Sequence, residues 1–129
     1  MRGLLSLAVM AVITTPGLAQ LQTTCFKGGA EFDCSMFITQ FCNSIGTSII
    51  APNDTMQRCF NNPAVADSQC LFTAANVITT QGIPSVANCG TALTTVAEKC
   101  PQGGSGMFSG LTFRFWIDPN DGACGLPSA

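Results

Sequence analysis

Residues 111–118 (LTFRFWID) alternate between apolar and functional side chains. With a period of two, Leu111, Phe113, Phe115 and Ile117 face one way and read as core. Thr112, Arg114, Trp116 and Asp118 face the other. That second row sets an aromatic plate beside a planar fork of N–H donors, a hydroxyl and a carboxylate. A pyranose ring is recognised by such a set, since its apolar face stacks on an aromatic ring while its hydroxyls pair with planar polar groups. Trp116 is the only tryptophan in the 129 residues. The same row admits a structural reading, with Trp116 packed beneath a helix or a partner and Arg114 paired with Asp118. Thr55 and Gln57 join the face if the strand register aligns them with it.

Other chemistry is thinly represented. The chain has no histidine and no tyrosine. That excludes Ser-His-Asp and Cys-His catalysis and removes the commonest metal ligand. No CxxC spacing is present, so no zinc site is expected, and no cofactor is implied. Glycoside cleavage needs two carboxylates flanking the scissile bond. Glu31 and Asp33 are close in sequence, but Asp33 reads as a helix cap, Glu98-Lys99 as a solvated face, and Asp118 and Asp121 as turn residues. The expectation is therefore no enzyme. The glycine-rich segment 103–110 (GGSGMFSG) lacks the Lys-Ser/Thr ending of a phosphate loop and reads as a flexible connector. Asn53-Asp54-Thr55 is an N-glycosylation acceptor sequence in a turn-rich stretch, with Asn53 as the candidate.

The compartment follows from the leader and the cysteines. Arg2 precedes a short apolar run, and Gly17-Leu18-Ala19 supplies small residues at a cleavage position. Residues 1–19 therefore read as a signal peptide and 20–129 as one mature domain, secreted to the extracellular space. The apolar run is short for a bilayer crossing, and no later stretch is long and apolar enough. After the leader, Lys27, Arg58, Lys99 and Arg114 stand against the 7 carboxylates of the chain. With no basic patch, nucleic acid is not an expected partner.

Cys25, Cys34, Cys42, Cys59, Cys70, Cys89, Cys100 and Cys124 make an even set, which in a secreted chain implies full pairing. If 34–45 and 86–100 are helices, Cys34 and Cys42 lie about 12 Å apart and Cys89 and Cys100 about 16 Å, from a rise of about 1.5 Å per residue. A bridge needs Cα atoms within about 7 Å, so those two pairings are excluded and the rest stay open. Bridges between helices and strands, or between the helices, are expected.

Stepping along the chain, 21–27 reads as a strand and 34–45 as a helix burying Cys34, Ile38, Phe41, Cys42 and Ile45. Thr47 to Ala51 reads as a strand or its stub, 55–60 and 70–79 as strands. The clearest helix is 86–100, with Ser85 as N-cap and Val86, Cys89, Leu93, Val96 and Cys100 in a stripe. Residues 111–118 form the last strand, closed by a Pro119-Asn120-Asp121-Gly122 turn. The order is β-α-β-β-β-α-β, about five strands and two main helices in one disulfide-stapled α/β domain.

The blocks CFKGGAEFDC, QFCNSIG, RCFNNP, CLFTAANV, PSVANCGTALTTVAEKCPQGGSG and FWIDPNDGAC resemble the small secreted mushroom proteins of the Y-three-like glycan-binding family, a fungal lectin family. The resemblance covers Cys25 to Cys124. Its most specific parts are the second-helix block ending in Cys100-Pro101 with its glycine segment, and the Ile-Asp-Pro-Asn run before Cys124. It implies a single αβα sandwich, glycans or glycoproteins as partners, and self-association, in the simplest case a homodimer. The leading functional expectation is a secreted, non-catalytic, lectin-like glycan binder acting in defence or cell recognition. The alternatives are a protein-targeting effector or toxin and a small glycan-cleaving enzyme.

Overall fold

The computed structural model describes residues 20–125. The expected leader, residues 1–19, lies outside the described residues. Five strands and two helices form one mixed α/β domain: β1 (Leu21–Cys25), a 3-10 turn (Ser35–Phe37) running into α1 (Ile38–Ile45), β2 (Thr55–Asn61), β3 (Ser68–Asn76), α2 (Val86–Lys99), β4 (Gly104–Phe108) and β5 (Phe113–Asp121). The strands make a single antiparallel sheet in the order β1-β4-β5-β3-β2. No described helix is long and apolar enough to cross a membrane.

Alternation decides the two faces of the sheet. Phe72 and Ala74 of β3 and Phe113, Phe115 and Ile117 of β5 are buried, with Met56 and Phe60 of β2 packed against them. The helices meet this face. Ile38, Phe41, Cys42 and Ile45 form the buried stripe of α1, and Cys89, Ala92, Leu93 and Val96 that of α2. Phe41 of α1 lies 5.1 Å from Phe72 of β3 between ring centroids. Both helices thus stand on one side, and the described residues supply two of the three layers of an αβα sandwich. The opposite face of the sheet is left uncovered over most of its area.

All eight cysteines are paired. Cys25–Cys100 ties the end of β1 to the end of α2, Cys34–Cys70 the start of the 3-10 turn to β3, and Cys42–Cys89 the two helices to each other. Cys59–Cys124 ties β2 to the segment after β5, with the Cα atoms 5.8 Å apart. Three bridges fit the expected pattern of joining helical segments to strands or to each other. The fourth straps the C-terminal segment to the sheet.

Several local expectations change. The glycine-rich connector is strand β4, so the element order is β-α-β-β-α-β-β. Thr47 to Ala51 contributes only a stub, the single bridge Ile50–Gly82. The reason for β4 is steric. A Cβ on Gly106 would sit 3.1 Å from Val96 and 3.3 Å from the Ala92 side chain, so glycine lets α2 lie close over this strand. The expected turn at 119–122 is also absent, because Pro119, Asn120 and Asp121 continue β5 opposite Cys70, Gln69 and Ser68. Strand β4 begins opposite Ile117, so Pro119 lies past its end, where no neighbour requires an N–H on that side.

Helix starts follow local chemistry. Ser85 Oγ accepts the Asn88 N–H at 3.2 Å, the expected N-cap of α2. Asp33 Oδ1 accepts the Ser35 N–H at 2.8 Å. It therefore shapes the turn leading into the 3-10 segment, and α1 itself starts later, at Ile38. At the other end, buried Asn76 donates its amide to the carbonyls of Ile50 (2.9 Å) and Thr80 (2.8 Å). Those bonds bend the chain into a loop and end β3 earlier than the apolar run suggests.

Candidate functional site

Strand β5 is flanked by β4 on one side and β3 on the other, so it occupies the middle of the sheet. It is not available as an edge for pairing with another copy. The edges are β1 and β2. Arg114, Trp116 and Asp118 share the uncovered face of β5, with Arg114 exposed and Trp116 and Asp118 half-buried. The Arg114 guanidinium lies over the indole of Trp116, 5.7 Å from the ring centroid. No described helix packs on this face, so Trp116 is not sealed beneath one.

Thr112 stands apart from these three. It precedes β5, its carbonyl accepts the Val77 N–H at 2.9 Å, and it lines a cavity of about 200 Å³ with Ile83, Ser85 and Phe113. Leu111, expected in the core, is 37% exposed, because regular strand alternation starts only at Phe113.

The register brings in residues from other strands. Trp116 faces Thr73 of β3, and Thr73 faces Gln57 of β2. Gln57 Nε2 donates to Thr73 Oγ1 at 3.2 Å. Arg114 faces Ala75, which faces Thr55. Thr55 and Gln57 thus lie on the face of Trp116, as the sequence allowed. On the other side Trp116 faces Ser105 of β4, and Ser105 faces Thr24 of β1. Thr24, Thr73 and Ser105 were not singled out from the sequence. Hydroxyl residues at alternate strand positions are the signal for them, but their neighbours appear only once the pairing is known.

The C-terminal segment borders this face. The Cys124 N–H donates to Asn61 Oδ1 at 2.7 Å, and Gln69 Nε2 donates to the Ala123 carbonyl at 3.4 Å. With Cys59–Cys124, these contacts hold residues 123–124 along the Asn61–Gln69 end of the open face. Asn53 lies at the far end of β2, exposed in a left-handed turn (φ 61), its N–H bonded to the Asn76 carbonyl at 3.0 Å.

A second concavity, about 410 Å³, opens on the helix side between Glu31, Phe32, Asp33, Ala97, Pro101 and Pro119. It holds the carboxylate pair closest in sequence. The Ser35 hydrogen bonds hold the Asp33 carboxyl below its ordinary value. A glycosidase acid needs a carboxyl pushed the other way. Asp33 is built to stay ionised.

The fold and this face define a small disulfide-stapled α/β domain that presents an aromatic residue in the middle of an open, polar sheet surface. The family described as Glycan binding domain Y3 matches residues 33–124, and the chain belongs to it. The chain is also similar to the antiviral protein CAP of Coprinus comatus, with 42% identity over 95 residues, 70% of this chain and 90% of that protein. A fungal lectin-like family is thereby established, in agreement with the resemblance read from the cysteine-bounded blocks.

Proposed function

We propose that the open sheet face is the glycan-binding surface of a secreted, non-catalytic lectin. The observation that carries this reading is the placement of Trp116 at the centre of a face that no described helix covers. The indole stacks on the apolar face of a sugar ring, and the hydroxyl and amide groups of Thr73 and Gln57 pair with its hydroxyls. Arg114 and Asp118 supply a donor fork and an acceptor on either side. A ligand that takes the indole surface now under Arg114 displaces the guanidinium and leaves it free to donate. Thr112 belongs to the site only as a residue at its margin.

Family membership supports glycans or glycoproteins as partners. The antiviral name of the similar protein supports a role in defence against foreign cells or particles. Four disulfides suit an oxidising compartment, consistent with removal of residues 1–19 and export of the domain 20–129. Self-association as a homodimer would use β1 or β2, the edges with unpaired backbone groups. Exposed Asn53 would carry an N-linked glycan in a eukaryotic secretory pathway.

The test is a glycan array probed with disulfide-intact protein and with Trp116→Ala. Binding by the parent chain and its loss in a folded variant support the reading. Equal signals from the two proteins overturn it.

A further inference from the structure

The open face carries an ordering of polar groups that β5 alone does not show. Thr24 faces Ser105, Ser105 faces Trp116, Trp116 faces Thr73, and Thr73 faces Gln57. One residue from each strand lies in a line at right angles to the strands. Adjacent strands are about 4.8 Å apart, so the four spacings make a line about 19 Å long. Thr24 and Gln57 are exposed at its ends, Trp116 and Thr73 are half-buried, and Ser105 is buried. The bond from Gln57 Nε2 to Thr73 Oγ1 fixes the Gln57 amide and leaves its carbonyl and second N–H for another partner.

The flanks of this line differ from its ends. Along one flank run Asp118, Leu71 and Cys59, and at Cys59 the bridge to Cys124 brings the C-terminal segment against the sheet. Along the other flank lies Arg114, stacked on Trp116. At both ends the line runs out over the edge strands β1 and β2. The surface is bounded lengthwise and open endwise, and its long direction crosses the strands.

We infer that the ligand is a neutral, unbranched stretch of at least three sugar units, laid across the strands and read from its interior. This rests on the glycan-binding reading of the same face. One strand spacing is close to the advance of one pyranose along an extended chain. A unit seated on Trp116 therefore sets its neighbours over Thr73–Gln57 on one side and Ser105–Thr24 on the other. All five groups are uncharged, so they match hydroxyls and amides. A branch on the central unit would run into Arg114 or the Asp118 flank.

The experiment uses the intact disulfide-bonded protein and an array of linear and branched, neutral and acidic glycans of one to six units. The strongest binder and its one- and two-unit truncations are then titrated. The expected result is a preference for linear neutral stretches of three or more units, with each removed unit lowering affinity about tenfold, the loss of one hydrogen-bonded contact set. Gln57→Ala and Thr24→Val should each weaken the full-length ligand about tenfold and leave the single unit unaffected, at unchanged melting temperature. A single unit that binds as tightly as the longer chain, full affinity in both variants, or a preference for acidic or branched glycans overturns the transverse site. Binding that survives Trp116→Ala, or no binding to any glycan, instead removes the platform itself, so the two failures are distinguishable.

Discussion

The guanidinium of Arg114 rests over the indole of Trp116, with Cζ 5.7 Å from the ring centroid. Residues two apart on a strand share a face, so this contact is set by β5 itself and needs no third element to hold it. At an exposed site such a contact is worth about 0.5–1 kcal/mol. Its modest size leaves a sugar able to compete for the ring.

Trp116→Ala should therefore leave the fold standing. A tryptophan packed under a helix costs about 3–5 kcal/mol when truncated. A half-buried one on an open face should cost about 1–2 kcal/mol, part of the value for full burial of a large apolar side chain. Urea unfolding of the variant checks this, and a loss in the packed range would show that something covers the indole in solution. Arg114→Gln should cost no more than the stacking energy.

The four bridges should differ in weight. Thiol titration of the denatured, unreduced protein should find no free sulfhydryl, since every cysteine is paired. Replacing Cys42 and Cys89 by alanine should destabilise most, because both are fully buried where the helices meet. Replacing Cys59 and Cys124 should cost less, within the usual range of about 2–4 kcal/mol per bridge, as their loss opens only the strap on the sheet. Denaturant melts of the two double variants make the comparison.

Helix α2 was legible to the residue because Ser85, the apolar stripe and Pro101 all agreed. The apolar side of β5 was legible from strict alternation, and Arg114, Trp116 and Asp118 followed from the same period. Strand β4 was not legible. Glycines lower strand propensity, and here they are present because Ala92 and Val96 of α2 press against the strand, a contact between distant parts of the chain. The transverse partners of Trp116 were hidden for the same reason, since register is a property of paired strands.

Gly103→Ala should destabilise by about 1–3 kcal/mol, the range for a strained backbone conformation. Gly103 has φ +84, and an added Cβ would stand 2.7 Å from Pro119 Cδ as well as against the Ile117 carbonyl. Gly110→Ala is the control. It shares the positive φ (+76) but meets nothing within 4 Å, so it should cost less. The difference in unfolding midpoint isolates the steric part.

Asp33 should contribute to acid sensitivity. Its folded-state carboxyl is held below the ordinary 3.8 by hydrogen bonds from Ser35. A depressed carboxyl adds stability that is fully present above the unfolded value and is lost as pH falls through the folded one. Between neutral pH and about pH 5 its contribution should be flat, then decline in stronger acid. Asp33→Asn should lower the neutral-pH melting temperature slightly and flatten the acid limb of the stability profile.

The line from Thr24 to Gln57 reaches both margins of the sheet without a loop turned in across it. A cleft closed at one end counts chain termini, because only a terminus can enter. A surface open at both ends counts length. On a polymer, every overlapping run of units is a starting position, and bound copies exclude one another by their footprint. Saturation is then set by polymer mass, and the apparent affinity per chain rises with the number of registers available.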